Sequence, residues 1–381
     1  MTVYFFVGHT LPTEHPNAVR IANLGLIFKA LGYKVTLVGF DSNGDRETEY
    51  KGMRCVIFNQ RTGGGLTNYL KREREALNNI KTFFKENECP QVIVSGLFNC
   101  KLQRFLISFA KAQNVKMIET VCEWYDRTAF QGVVGVFKYI NNRYSMYRQF
   151  VRVGNIISIS TCIEKYYKSK GCNVVVIPTI ADFDEYDNLA IYNKNEKRII
   201  TYAGSPAKKD FLLNILKAID LLNESERNTI ELHIYGLEEK QLLELGLSRA
   251  FIERHRDTVF SHGRIPYKEV KNRLAESDFT ILLRPNKRYA NAGFPTKVGE
   301  SMACGTPVIT NLTSDLGNYL LDGENSIISR DETVDECAFA IRRAISLGDS
   351  ALYKMRLEAL NTAKQRFDYK SYINHMHVFL R

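Results

Sequence analysis

The chain lacks the features that mark metal clusters, disulfide scaffolds and membrane spans. Its eight cysteines (Cys55, Cys89, Cys100, Cys122, Cys162, Cys172, Cys304 and Cys337) are scattered, and none forms a Cys-x-x-Cys pair. That spacing argues against a disulfide framework or zinc cluster, so a reducing cytoplasm is the expected compartment. His375 and His377 stand apart from carboxylates and cysteines, so no metal site is expected. No run of about 18 apolar residues occurs, hence no spanning helix is expected. Met1 to Val7 is apolar but short and has no basic leader, and it reads as a strand rather than a signal peptide. Gly-x-Gly-x-x-Gly is missing after that strand, which disfavours a dinucleotide dehydrogenase. Thr62-Gly63-Gly64-Gly65 has no Gly-Lys-Ser/Thr ending and is not a P-loop.

At 381 residues and 45% apolar content, the chain is long enough for two domains of roughly 150 to 200 residues. Its net charge of +10 is unevenly placed. Residues 1–180 carry 24 Lys and Arg against 13 Asp and Glu, while residues 181–381 carry 28 against 29. A first half at +11 beside a second at −1 suggests a polyanionic or anionic-membrane partner, or a surface that simply aids solubility. Two expected helices concentrate this charge among apolar residues, at 67–87 (Lys71, Arg72, Arg74, Lys81, Lys85) and 134–152. Each is either an ordinary packed helix or one lying on anionic head groups.

Strands and helices alternate along the chain. In the first half the pattern predicts strands near 3–7, 34–40, 53–59, 91–95, 116–120, 156–160 and 174–178, with helices between them. Ligands of open α/β sheets bind at the carboxyl ends of strands. After the strand 116–120 come Glu123, Trp124 and Asp126, and the two acids are candidates to position an acceptor hydroxyl or to pair with Arg127. Trp124 either stacks on a sugar or packs. Arg20 and Asn17 read as residues at a helix start. The polar stretch 183–197 reads as a linker.

Arg198 to Ala203 opens a second β/α series. Gly204-Ser205-Pro206-Ala207-Lys208-Lys209-Asp210 joins a strand end to a helix and suits a diphosphate, with Lys209 or Lys208 as its cation. Residues 289–311 carry the densest signal. A glycine turn (Ala292, Gly293, Phe294) leads to Pro295 and Thr296, which start a short helix that Gly305 ends. Phosphate suits the N–H groups of such a helix start, and Lys297 adds a cation. Glu300, one turn in, suits a hydroxyl pair such as a ribose. Taken one residue at a time, these are also compatible with a helix cap and solvated side chains.

Taken in order (turn, Pro-Thr-Lys, Glu, Gly305-Thr-Pro307, apolar strand), the features resemble the nucleotide-sugar site of GT-B glycosyltransferases, especially the retaining family four. Glu300 falls on that family's second glutamate. Ala292 stands where the first would be, and Ser205 where the family has arginine, with Arg284 as a candidate replacement cation. Leu97-Phe98-Asn99 stands where related enzymes often carry histidine. Ile177-Pro178 through Asp182 resembles the segment that closes the family's N-terminal domain. The resemblance implies an α/β GT-B fold of two doubly wound Rossmann-like domains facing across a cleft. Their bounds are 1–183, with a C-terminal helix 368–381 crossing back, and 184–367. It also implies backbone contact to the nucleobase at Arg264-Ile265.

The expected activity is therefore transfer of a sugar, with retention, from a nucleotide diphosphate sugar to an acceptor hydroxyl. A UDP-sugar is the expected donor and substrate, with no cofactor and no metal. The acceptor is expected to be a saccharide or lipid-linked saccharide in cell-surface polysaccharide synthesis, met in the cytoplasm or at the membrane's inner face. Lys209 and Lys297 would stabilise the leaving diphosphate, and Glu123 and Asp126 would serve the acceptor. The donor contacts would come from Gly204, Ser205, Lys208, Arg264, Ile265, Arg284, Gly293, Phe294, Pro295, Thr296 and Glu300. A GT-B nucleotide-sugar epimerase is the alternative, and a nucleic-acid-binding α/β protein a weaker one, since no recognition motif accompanies the basic charge.

Overall fold

Thr2–Phe6 shows why the first sheet is a buried one. Every residue of this strand is inside, and its side chains alternate between two cores. Val3, Phe5 and Val7 face one apolar cluster, while Tyr4 and Phe6 face the other. A strand buried on both faces belongs in the middle of a parallel sheet covered by helices on each side. The computed structural model has this arrangement, and it describes residues 1–8, 16–97, 99–187, 189, 194–206 and 209–381.

Two units divide the chain, Met1–Ile180 with Tyr369–Arg381, and Ala181–Asp368. The first holds β1 (Thr2–Phe6), β2 (Lys34–Asp41), β3 (Arg46–Tyr50), β4 (Met53–Asn59), β5 (Val92–Ser95), β6 (Lys116–Val121), β7 (Asn155–Ser158) and β8 (Asn173–Val176). Their order is β3-β4-β2-β1-β5-β6-β7-β8, all parallel except the edge pair β3–β4. The helix Pro16–Ala30 and the C-terminal helix Ile373–Leu380 supply one apolar cover, and Leu66–Glu86 with Cys100–Ala112 supply the other.

The second unit contains β9 (Arg198–Ala203), β10 (Ile230–Tyr235), β11 (Val259–Ser261), β12 (Phe279–Leu282), β13 (Val308–Asn311) and β14 (Ser326–Ser329). They form one parallel sheet in the order β11-β10-β9-β12-β13-β14. In each unit the order reverses beside the first strand of the unit, β1 or β9. Rossmann-like sheets bind ligands at the carboxyl end of that point.

Several expectations change. Arg20 is not a solvated helix-start residue. It is 3% exposed and donates to the carbonyls of Pro178 and Ile177 and to Cys122 Sγ, so it ties its helix to the end of β8. Of the two readings of Trp124, the structure has the packed one, edge-to-face on Tyr166 at 4.8 Å and Tyr147 at 5.7 Å. The expected linker begins as packed structure, because Phe183 is buried and Lys271 Nζ donates to Glu185 at 2.6 Å. The aromatic helix near 134–152 starts at Gly132 and passes through one wider turn, Ser145–Gln149, before ending at Val153.

Candidate functional site

At the carboxyl end of β9 the chain turns through Gly204, whose φ is +123°, a conformation L side chains rarely adopt. The turn also needs space. A Cβ on Gly204 would stand 2.6 Å from Lys297 Cε, so the lysine stem lies across the glycine. A Cβ on Gly236, at φ +110°, would in turn meet Gly204's carbonyl oxygen at 2.8 Å. The bare backbone at two neighbouring strand ends therefore lets Lys297 reach over the sheet edge.

Lys297 sits in the first turn of the helix Thr296–Ala303, which Pro295 opens; Gly305, at φ +69°, follows its end. Its ammonium lies 4.6 Å from the Tyr202 ring centroid and donates to Tyr202 Oη at 3.0 Å. It also donates to Asp210 Oδ2, which accepts from Tyr202 Oη at 2.9 Å as well. Burial among these groups pushes the Tyr202 hydroxyl's pKa up, so the phenol stays a neutral donor. Lys297 thus has a resident counter-ion, and an incoming anion must share it with Asp210 or displace that carboxylate.

One turn along the same helix, Glu300 is half-buried, and Oε1 accepts from Tyr267 Oη at 3.0 Å. Desolvation raises its pKa, and the Tyr267 hydrogen bond with the nearby Lys271 and Lys297 charges opposes the rise. Lys271 is itself buried over the Tyr186 ring at 4.5 Å. Between Lys297, Glu300 and the strands β9, β12 and β13 lies a cavity of about 20 Å³, room for about one water. Lys297 and Glu300 thus project from one helix beside the strand-order reversal, a cation and an acceptor one turn apart.

The other expected donor contacts belong to the same unit. Ser205 is exposed, Lys209 half-buried in the turn closed by its N–H to Pro206 O at 3.1 Å, and Lys208 lies outside the described residues. Arg264 is exposed and Ile265 half-buried after Gly263, whose N–H donates to Leu237 O at 2.9 Å. Thr296 is half-buried; Gly293 and Pro295 are buried. Two expectations change. Arg284 is not an open cation: it is 5% exposed, donates to Ala290 O at 3.3 Å and lies 3.9 Å from Asp210 Oδ1. Phe294 turns its ring into the core against Tyr319 at 5.5 Å and Phe367 at 5.8 Å, which leaves only its backbone for a ligand.

Glu123 and Asp126 belong to the first unit, in the segment after β6, where Glu123 interacts with the Tyr125 hydroxyl. Tyr202, Asp210, Tyr267 and Gly236 escaped the sequence reading. The only signal for Asp210 was its place at the end of the Lys-Lys turn.

Residues 186–366 match the family model described as Glycosyl transferases group 1. The matched segment contains the whole of the Lys297–Glu300 site. No curated protein matches the chain. Solved structures are similar over its full length. Sucrose-phosphate synthase from Thermosynechococcus elongatus has a TM-score of 0.75 at 13% identity, covering 100% of this chain and 98% of its own. An α,α-trehalose-phosphate synthase (UDP-forming) from Burkholderia xenovorans, in complex with glucose-6-phosphate, has 0.72 at 10%, covering 100% of both. Anabaena HepE in complex with UDP and glucose has 0.67 at 15%, covering 99% and 98%. The fold is GT-B, with two Rossmann-like domains.

Proposed function

We propose that the protein is a retaining glycosyltransferase that moves a sugar from a UDP-sugar to a hydroxyl of a saccharide or lipid-linked saccharide, in cell-surface polysaccharide synthesis. The observation that carries this reading is the Lys297–Glu300 pair on one helix beside Gly204. Similar structures were solved with UDP and glucose or are named UDP-forming, which supports a uridine nucleotide. In this reading Glu300 accepts from the ribose hydroxyls, and the backbone at Arg264 and Ile265 meets the base. Lys297, Lys209 and the helix start at Thr296 take the diphosphate, with Lys297 shifting from Asp210 toward the phosphate oxygens.

Catalysis then comes mainly from charge stabilisation. Negative charge grows on the departing diphosphate, and Lys297, once released from Asp210, with Lys209 and the N–H dipoles at Thr296 would offset it. For retention, the acceptor hydroxyl approaches the face the diphosphate leaves, and a diphosphate oxygen receives its proton. Glu123 and Asp126 would orient the acceptor. The basic first unit, with an exposed apolar stripe on the helix Gly132–Tyr144, would hold the protein on the inner face of an anionic membrane, where a lipid-linked acceptor lies.

The test is calorimetry with UDP, GDP and uridine. Glu300→Gln should weaken both diphosphates by roughly tenfold to a hundredfold, the effect of about 1.5–3 kcal/mol for a hydrogen bond to a charged group. Lys209→Ala should weaken UDP far more than uridine. Unchanged UDP and GDP affinity in Glu300→Gln would overturn the assignment.

A further inference from the structure

The reaction as described gives no task to Lys271, the one buried lysine among the described residues, at 6% exposure. Burying an ammonium is costly, and Lys271 offsets the cost from three sides. Its Nζ donates to Glu185 Oε2 at 2.6 Å. It also lies 4.5 Å from the Tyr186 ring centroid and 4.9 Å from that of Tyr267. Tyr267 and Lys271 stand four residues apart on the helix Tyr267–Glu276, so they share one face. A single cation thus holds two phenol rings in place.

Both phenols lead to Glu300. Their hydroxyls are hydrogen-bonded to each other, and Tyr267 Oη donates to Glu300 Oε1 at 3.0 Å. An ionised carboxylate only accepts, so Tyr267 gives its one proton to Glu300 and accepts from Tyr186. The two helices are also tied at Cys304, just past the end of the Glu300 helix, whose Sγ donates to Lys271 O at 3.6 Å. Oε1 of Glu300 is committed to Tyr267, and Oε2 is the oxygen left to a ligand.

Charge points the same way. Desolvation raises the pKa of Glu300, and the Tyr267 hydrogen bond, then Lys271, then Lys297 oppose the rise. Once Lys297 turns to a diphosphate, Lys271 is the cation that stays with Glu300. Its partner Glu185 is one-third exposed, so water damps that opposing charge. We propose that, given the ribose role of Glu300 proposed above, Tyr267 and Lys271 are positioning residues that hold this carboxylate toward the ribose hydroxyls and make the site prefer ribonucleotides to deoxynucleotides. A nucleotide without those hydroxyls leaves a fixed, desolvated carboxylate unpaired, which is how such a site rejects it.

The test is calorimetry on the full chain with UDP and 2′,3′-dideoxy-UDP, which lacks both ribose hydroxyls. The parent should bind UDP roughly tenfold or more tightly than the dideoxy nucleotide, and Glu300→Gln should lose most of that preference. Tyr267→Phe keeps the ring beside Lys271 and removes only the donor. It should weaken UDP by roughly threefold to tenfold and leave dideoxy-UDP unchanged. Lys271→Met should act in the same direction. A merely structural role would weaken both nucleotides alike, and that outcome in Tyr267→Phe would overturn the proposal. Should Tyr267→Phe fail to fold, Lys271→Met decides by the same comparison. Loss of the preference in Glu300→Gln but not in Tyr267→Phe would overturn the positioning role alone. A parent without the preference, or a Glu300→Gln variant that keeps it, would overturn the ribose reading of Glu300 and the positioning role with it.

Discussion

Two acids of the first unit show how surroundings set a single residue's behaviour. Glu119, on β6, is fully buried and accepts from Gln103 Nε2, while its Oε2 finds no partner among the described residues. Desolvation drives its pKa well above the usual carboxylate range. Glu73 is also desolvated, but Lys101, Tyr69, Arg72 and Lys138 temper the rise, and it reaches about 7. The folded protein therefore holds the Glu73 proton more tightly than the unfolded chain does. That contribution is fully present below about pH 4.5 and is lost as pH climbs through 7. Its size is on the order of 3 kcal/mol. Glu73→Gln cannot ionise, so its stability advantage over the parent should grow by about that amount from pH 4.5 to pH 8. Trp124, the sole tryptophan, lies in the same unit and reports its urea unfolding by fluorescence. A pH-independent difference between the two proteins would count against a buried Glu73. Residues such as Lys297 and Glu300 were legible in the sequence because Pro295 and Gly305 bracket their helix. Asp210 and Tyr202 were not, because their partner lies on a helix far along the chain and only folding brings them together.

Elements were legible where apolar periodicity was strong. β1, β2 and the helix Leu66–Glu86 stood out in the sequence for that reason. β3, Arg-Glu-Thr-Glu-Tyr, has almost no apolar residue and forms because β4 offers it an edge, so its pattern carries no strand signal. β14 is four residues long, below the length at which periodicity speaks. The C-terminal helix Ile373–Leu380 shows packing taking over from propensity. At eight residues it is too short to persist alone, but Met376 and Phe379 are buried in the cluster around β1. Lys116 Nζ donates to its last carbonyls, Phe379 O at 3.1 Å and Leu380 O at 2.7 Å, which suits a helix carboxyl end. Met376→Ala should therefore destabilise the first unit by about 2–5 kcal/mol, read as a lower urea midpoint of Trp124 fluorescence. UDP binding by the second unit should survive. A shift within error would mean that the helix is peripheral.

At the scale of the whole molecule the charge asymmetry acquires a location. No helix among the described residues is long and apolar enough to cross a membrane. One helix of the first unit nevertheless leaves large apolar side chains in water: Val133 is 67% exposed, Ile140 55% and Phe137 42%. With Tyr144 they recur on one face of Gly132–Tyr144, at positions three and four apart. Arg143 lies 4.9 Å from the Tyr147 ring centroid, and Arg104 6.0 Å from that of Tyr144, so cations border the stripe. Lys71, Arg74, Lys81 and Lys85 are exposed on the helix Leu66–Glu86. An apolar stripe edged by cations fits an anionic bilayer surface, where each nearby cation contributes about 1 kcal/mol. The two contributions separate experimentally. Salt weakens the charge component, because the Debye length falls to roughly 3 Å at 1 M, while the apolar component persists. In co-sedimentation with vesicles the protein should bind those rich in phosphatidylserine and ignore pure phosphatidylcholine. Binding should fall steeply from 0.1 M to 1 M salt. Phe137→Ser with Ile140→Ser should weaken it at every salt concentration, whereas charge reversal at Lys81 and Lys85 should act mainly at low salt. Equal binding to both lipids, or none to either, would leave the stripe without a membrane role and make a soluble saccharide the acceptor to pursue.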